Sequence, residues 1–176
     1  MHGLFRNLAR LALVSVLAPL MAGCVAVVGT EGVSANPAMA QYRQLAFVGL
    51  SDESEAVFTT MFMEAFPTMA FVEKDALLRL APEEDLLSGR LGSDVRSNVR
   101  STLGVEGIVA ILWEDSGGAG SMEWSLTITD TDTGEVTGSA IARLRKEPLA
   151  RGVPFADLER RAFEVLISAL KEELGG

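Results

Sequence analysis

The sequence predicts an α/β fold, a single domain built on a mixed parallel and antiparallel sheet packed with helices. Two continuous apolar runs of strand length, residues 45–50 and the core of 105–114 from Ile108 to Leu112, read as strands covered on both faces. Residues 52–66 and the segment after Pro154 carry apolar side chains three and four residues apart, the stripe of a helix laid on a sheet. Residues 122–130 alternate apolar and polar and are followed by Asp132-Thr133-Gly134-Glu135, the signature of an antiparallel hairpin. The order is β-α-β-α-α-β-β-β-α, a sheet with helices against it.

Ahead of this domain, Arg6 and Arg10 precede an apolar run over residues 11–20, followed by the small residues Ala22 and Gly23. Charged, apolar and small regions in that order form a secretory signal. Residues 11–23 are too few to cross a ~30 Å hydrocarbon core, which takes ~20 residues of helix. Because Leu20-Met21-Ala22-Gly23 abuts Cys24, residues 1–23 resemble a bacterial lipoprotein signal with its lipobox. That resemblance implies cleavage before Cys24, diacylglycerol on its sulfur and an acyl chain on its amine. Several acyl chains at ~0.8 kcal/mol per buried CH₂ hold a domain to a membrane without spanning it. By the same resemblance, Val25 in place of an aspartate implies the outer membrane, periplasmic face.

Of the 15 Lys and Arg, two lie ahead of Cys24, which leaves 13 against 24 acids and a charge of −11 on the mature chain. Such a chain lacks the concentrated positive field that nucleic acid requires, so no nucleic-acid partner is expected. At 48% hydrophobic residues it has enough apolar surface for an ordinary core. The one histidine, His2, leaves with the signal, and the one cysteine is Cys24. The mature domain therefore has no residues for a Ser-His-Asp or Cys-His nucleophile or for a His or Cys metal site, and no intramolecular disulfide. Neither cofactor nor metal is expected.

Residues 24–44 read as a lipid-anchored tether, since Gly29, Gly32, Asn36 and Pro37 interrupt them and no period of 2 or 3.6 persists. About 20 flexible residues span roughly 25 Å on average and at most ~70 Å. The periplasmic domain then occupies residues 45–176. Its first strand leads through Ser51 and Asp52, with capping-box spacing from Asp52 to Glu55, into the helix that stops before Pro67. Residues 69–72 form a short strand, residues 76–80 a short helix, and Pro82-Glu83-Glu84-Asp85 a solvated helix start. Ser93 caps a helix over 94–103, and Gly104 ends it. Residues 116–121, with Gly117, Gly118 and Gly120, form a hairpin tip. They lie between two strands without a lysine, so they do not cradle phosphate. The last helix presents Phe155, Leu158, Ala162, Val165, Leu166, Ala169 and Leu170.

Asp130, Asp132 and Glu135 are the densest carboxylate group, which either serves acid/base chemistry or fits a tight polar turn, and turn chemistry explains it better. Arg143, Arg145, Lys146 and Arg151 read as the charges that protect an edge strand, or as contacts to an acidic partner or to lipid head groups.

Several stretches carry a resemblance: the strand and capped helix of residues 45–66, Phe71-Val72-Glu73-Lys74, Leu103-Gly104-Val105-Glu106-Gly107-Ile108-Val109, and the Asp132-Thr133-Gly134-Glu135 hairpin. Over most of residues 45–144 the chain is similar to the CsgG-like and LpoB-like periplasmic lipoprotein families. The CsgG-like resemblance implies an oligomeric secretion component. Pore hairpins need strands of ~9 to 11 alternating residues, and the chain has no spare ones. The LpoB-like resemblance implies an activator of a penicillin-binding protein. The functional expectation is a non-catalytic accessory lipoprotein that binds another cell-envelope protein. Its contacts are sought at Gly118, Thr129, Arg143 and Arg145, on the hairpin tip, the polar face of residues 122–144 and the basic segment. A homo-oligomer and a small carboxylate-dependent envelope hydrolase stand as alternatives. The hydrolase would place Asp130 or Asp132 in a concave pocket with a raised pKa.

Overall fold

The computed structural model describes residues 26–115, 121–145 and 152–175. Six strands, β1 (Ala26–Ala35), β2 (Gln44–Val48), β3 (Ala70–Phe71), β4 (Gly107–Asp115), β5 (Ser121–Asp130) and β6 (Val136–Arg145), form one sheet in the order β1-β6-β5-β4-β2-β3. Five helices pack on it: α1 (Asp52–Ala65), α2 (Lys74–Leu78), α3 (Glu83–Leu87), α4 (Ser93–Leu103) and α5 (Phe155–Glu173). β3, β2 and β4 are parallel, while β4, β5, β6 and β1 are antiparallel. The mixed α/β sheet expected from the sequence is the one observed.

Alternation along each strand sorts side chains between two cores. Leu45, Phe47, Val109, Ile111, Trp124, Leu126 and Ile128 meet Phe58 and Phe62 of α1 and Phe163 and Leu166 of α5 in an aromatic layer. The intervening Ala46, Val48, Ile108 and Ala110 meet Leu77, Leu86 and Val99 of α2, α3 and α4 in an aliphatic layer. This second layer reaches only the β2 and β4 side, which explains why those strands read as continuous apolar runs. On β5 only the even-numbered residues from Met122 to Ile128 are apolar, and among the described residues no helix covers the other face of β5, β6 and β1.

Of the two residues that offer a cap to α1, Ser51 is the one that serves, its hydroxyl accepting from Ser54 N–H. The start of α4 differs from expectation, Gly92 rather than Ser93 preceding it. Gly104 ends α4 at φ +70° as expected. α5 buries Phe163 and Ile167 in addition to Leu158, Ala162, Leu166 and Leu170, while Phe155 stays exposed and Val165 and Ala169 are half-buried. Its apolar stripe is turned because the helix packs against α1 as well as the sheet, with Phe58 and Phe163 edge to face at 5.2 Å.

The largest departure concerns residues 26–44. Expected as tether, they are part of the fold: β1 pairs antiparallel with β6 from Ala26 opposite Arg145 to Ala35 opposite Gly138, and a 3-10 turn over Pro37–Gln41 follows. The register slips between Val27 and Gly29 and again between Glu31 and Ser34, and Gly32 adopts φ +62°. Two slips in ten residues erase the period of two by which a strand is recognised. As a consequence β6 is not an edge strand; β1 covers it.

The strands define two ends of the molecule. At one, Ala26 lies opposite Arg145, Arg145 opposite Ser121, and Asp115 opposite Met122; α1 and α5 begin there. At the other, Gly107 lies opposite Asp130, and the turn between β5 and β6 lies beside Tyr42. They are called below the Ala26 end and the Asp130 end.

Candidate functional site

At the Asp130 end, the turn after β5 is built by its own side chains. Asp130 Oδ1 accepts from the backbone N–H groups of Asp132 and Thr133, both at 2.8 Å, and Gly134 supplies a φ of +76°. The other carboxylate oxygen accepts from Tyr42 O–H at 2.6 Å, and the same phenol lies 3.2 Å from the Thr137 hydroxyl. Burial raises the Asp130 carboxyl, but the donors from Tyr42, Thr133 and Asp132 outweigh it and hold the group below its ordinary value near 3.8. Burial, and then the bond to Asp130, push the Tyr42 phenol up to about 12. A neutral tyrosine thus donates to a charged aspartate. Asp132 and Glu135 are exposed on the same turn. An envelope hydrolase would need a carboxyl shifted upward in a cleft; Asp130 is shifted downward in a turn.

The proposed contact residues fare unequally. Thr129 is buried, at 6% exposure, and not on a wet surface. It sits on the sheet face that the helices after β3 cover, where the turn at Gly89 passes so close that a Cβ there would stand 3.7 Å from the Thr129 hydroxyl. The alternating pattern of β5 gives no sign of this, because the covering turn comes from a distant segment. Arg143 is half on the surface, but its charge is matched: Nε donates to Glu123 Oε2 at 2.7 Å and Nη1 to Glu31 Oε2 at 2.6 Å. The bond to Glu123 and the charges of Glu123 and Glu31 raise its pKa further. The ladder Glu31-Arg143-Glu123 crosses β1, β6 and β5, so this arginine ties the middle of an uncovered sheet face rather than shielding an edge. Arg145 closes β6, its backbone opposite Ala26 and Ser121. Cys24 and Gly118, with Lys146 and Arg151, lie outside the described residues.

Two groupings have no counterpart in the sequence reading. The first is Glu55 on α1 with Lys74 on α2. Burial raises the Glu55 carboxyl; Lys74 opposes the shift, and Asp52, Glu83 and Asp75 add to it. Glu55 Oε2 is buried at 3.9 Å from Lys74 Nζ, beyond hydrogen-bond distance, while Lys74 donates to Leu50 C=O at 2.9 Å and lies 3.4 Å from Glu83. The second is an apolar surface at the Ala26 end. Leu112, Trp113 and Phe155 are 45%, 46% and 41% exposed, and Trp113 and Phe155 rest on each other with ring centres 5.2 Å apart. The sequence signal for the second was present in Leu112-Trp113, the point where the apolar run of β4 outlasts its cover.

Between the first turns of α1 and α5 lies a groove of about 380 Å³, open to solvent, which Val57, Phe155 and Phe163 share with Glu53, Asp157 and Glu159. Glu159 is buried and accepts from the Ser54 hydroxyl at 2.7 Å. Among the described residues no group of three or more His, Cys, Asp or Glu is placed to hold a metal ion, and no helix is long and apolar enough to cross a membrane.

No protein-family model matches the chain, and no curated protein matches it in sequence. In structure the chain is similar to PelC from Paraburkholderia phytofirmans, a dodecamer, at 12% identity over 80% of this chain and 95% of that one, with a TM-score of 0.48. A variant of the same PelC gives 10% identity, 81% and 95% coverage and the same TM-score. The lipoprotein GNA1162 from Neisseria meningitidis gives 12% identity, 76% and 97% coverage and a TM-score of 0.44. These likenesses assign no family, and neither a CsgG-like nor an LpoB-like family is among those that match.

Proposed function

We propose that the protein is a non-catalytic, lipid-anchored component of the bacterial envelope, held by Cys24 to the periplasmic face of the outer membrane, that binds another envelope protein. The observation that carries the binding part is the outer face of β5, β6 and β1. Sheet faces in α/β domains are ordinarily covered, yet among the described residues no helix lies on this one, and it displays Glu123, Ser125, Thr127, Ser139 and Arg143 half-exposed. Its charges are pre-paired and its backbone is fixed by strand pairing on both sides of β6. A face of that kind can accept a partner with little ordering cost. Absence of catalysis is supported by Asp130, whose carboxylate is engaged in the turn and held charged, and by a mature chain without histidine.

Crosslinking in intact cells tests the reading, with photoreactive residues at Ser125 and Thr127 on the open face and at Thr129 as a buried control. One discrete heterologous adduct at Ser125 and Thr127, absent at Thr129 and lost when Cys24→Ala frees the chain from the membrane, is the expected result. A ladder of self-adducts would replace the accessory role with a homo-oligomer, and adducts no stronger than at Thr129 would overturn the assignment of this face.

A further inference from the structure

We infer that the Ala26 end of the domain docks edge-on against the lipid surface, with Leu112, Trp113 and Phe155 entering the interface between headgroups and acyl chains. The inference rests on the proposed acylation of Cys24 and adds an orientation to it. Because β1 begins at Ala26, only Val25 separates the anchored residue from a strand paired into the sheet. Two residues reach at most ~7 Å, whereas a tether of 20 would leave the domain free to turn. If the acyl chains of Cys24 lie in hydrocarbon, the end of the sheet beside Ala26 lies within the interfacial zone, into which apolar faces sink about 5–10 Å.

Three features of that end fit a bilayer as the occupant. Among the described residues six large apolar side chains are exposed; Leu112, Trp113 and Phe155 are at this end, Val57 is little more than one turn into α1 from it, and Met63 and Val136 lie toward the opposite end. Leu112 and Trp113 are consecutive in β4, so they point to opposite faces of the sheet. A protein partner covering one face would bury one of them, while a planar surface met edge-on buries both. Tryptophan, finally, is the residue that settles at the level of lipid headgroups, and Trp113 is held for that position by the Phe155 ring 5.2 Å away. Glu114 and Asp115 follow directly and are exposed, and with Arg145 ending β6 at the same end these residues carry no positive excess that would draw anionic lipid.

The chain has two tryptophans, one on this surface and one, Trp124, fully buried, which makes the test direct. The acylated protein is extracted from membranes and reconstituted in phosphatidylcholine vesicles whose acyl chains carry bromine close to the headgroup. Trp113 emission is expected to shift to the blue and be quenched by the brominated lipid, the loss vanishing in Trp113→Phe, where only Trp124 emits. Replacing half of the phosphatidylcholine with phosphatidylglycerol is expected to leave the quenching no stronger. Incorporation of an alkyne fatty acid by the same cells, lost in Cys24→Ala, reads the anchor separately. Labelled protein whose Trp113 is unquenched and remains open to iodide from the water would overturn the docking alone. Unlabelled protein would overturn the anchor, and the docking with it.

Discussion

Asp130 and Glu55 are carboxylates toward opposite ends of one sheet, and the protein treats them in opposite ways. Asp130 receives a phenol and two backbone N–H groups and is held more acidic than usual. Glu55 has a buried oxygen with no hydrogen bond, a lysine at 3.9 Å, and a raised pKa. The contrast extends to the surroundings. The Asp130 end is closed by bonds that bring β2's approach, β4 and the β5-β6 turn together, including Thr131 Oγ1 to Val105 C=O at 2.7 Å. The Ala26 end leaves Leu112, Trp113 and Phe155 in solvent. One end is tied by its own side-chain hydrogen bonds; the other sets three large apolar side chains part-exposed beside one another.

The sharpest way to break this contrast is at Tyr42. Tyr42→Phe keeps the ring in its pocket but leaves Asp130 Oδ2 and the Thr137 hydroxyl without that partner. Hydrogen bonds to charged groups contribute about 1.5–3 kcal/mol, and a loss of that size is expected in urea unfolding at pH 7. Gly134→Ala comes next. At φ +76° an alanine is strained by about 1–2 kcal/mol, and its Cβ would stand 2.5 Å from Arg96 Nη1. The flexible arginine can move aside, so the backbone sets the cost. Thermal unfolding of this variant should show a loss smaller than that of Tyr42→Phe.

The pH dependence carries the same contrast with opposite signs. The lowered Asp130 pKa stabilises the fold fully above the ordinary aspartate value near 3.8, and that contribution is lost as pH falls toward the lower folded value. The raised Tyr42 pKa acts the other way: its contribution is complete below the ordinary value of 10.0 and disappears as pH climbs toward about 12. The stability gap between wild type and Asp130→Asn should therefore be constant from pH 5 to 8 and shrink in acid. A gap that grew in acid would show the turn carboxylate to be a burden rather than a support.

Much of this fold was legible in the sequence. Residues 45–50 and 105–114 read as doubly covered strands because Ala46, Val48, Ile108 and Ala110 do face a second core. Gly104 and Gly134 read as chain reversals because each has a positive φ. β1 was not legible, since two register slips hide a strand whose identity comes from its partner β6, far along the chain. The same hidden strand turned Arg143 from an edge charge into an interior rung. Thr129 failed as a contact because its cover, the turn at Gly89, is a tertiary fact. Glu55 was read as part of a helix cap, a local role, while its burial depends on α2 and Lys74.

The two smallest expected effects lie at the Ala26 end, and they decide whether the contrast concerns function or only geometry. Glu55→Gln removes a charge that burial disfavours; a raised carboxyl pKa stabilises the fold below the ordinary value near 4.5 and works against it once the pH exceeds the folded value. The variant should match wild type in acid and be about 0.5 kcal/mol more stable at pH 7, because Lys74 keeps Glu83 and the Leu50 carbonyl. Trp113→Ser should change the stability of the detergent-solubilised protein by no more than about 0.5 kcal/mol, as surface changes do. It removes apolar area that is already half in water, and Trp124 behind it remains in the aromatic core. A loss of several kcal/mol would mean that Trp113 seals the core and that its exposure says nothing about a surface to be met. A null effect in detergent together with altered protease protection of the protein in membranes would mean that the side chain is kept for the encounter, since nothing in the fold requires it.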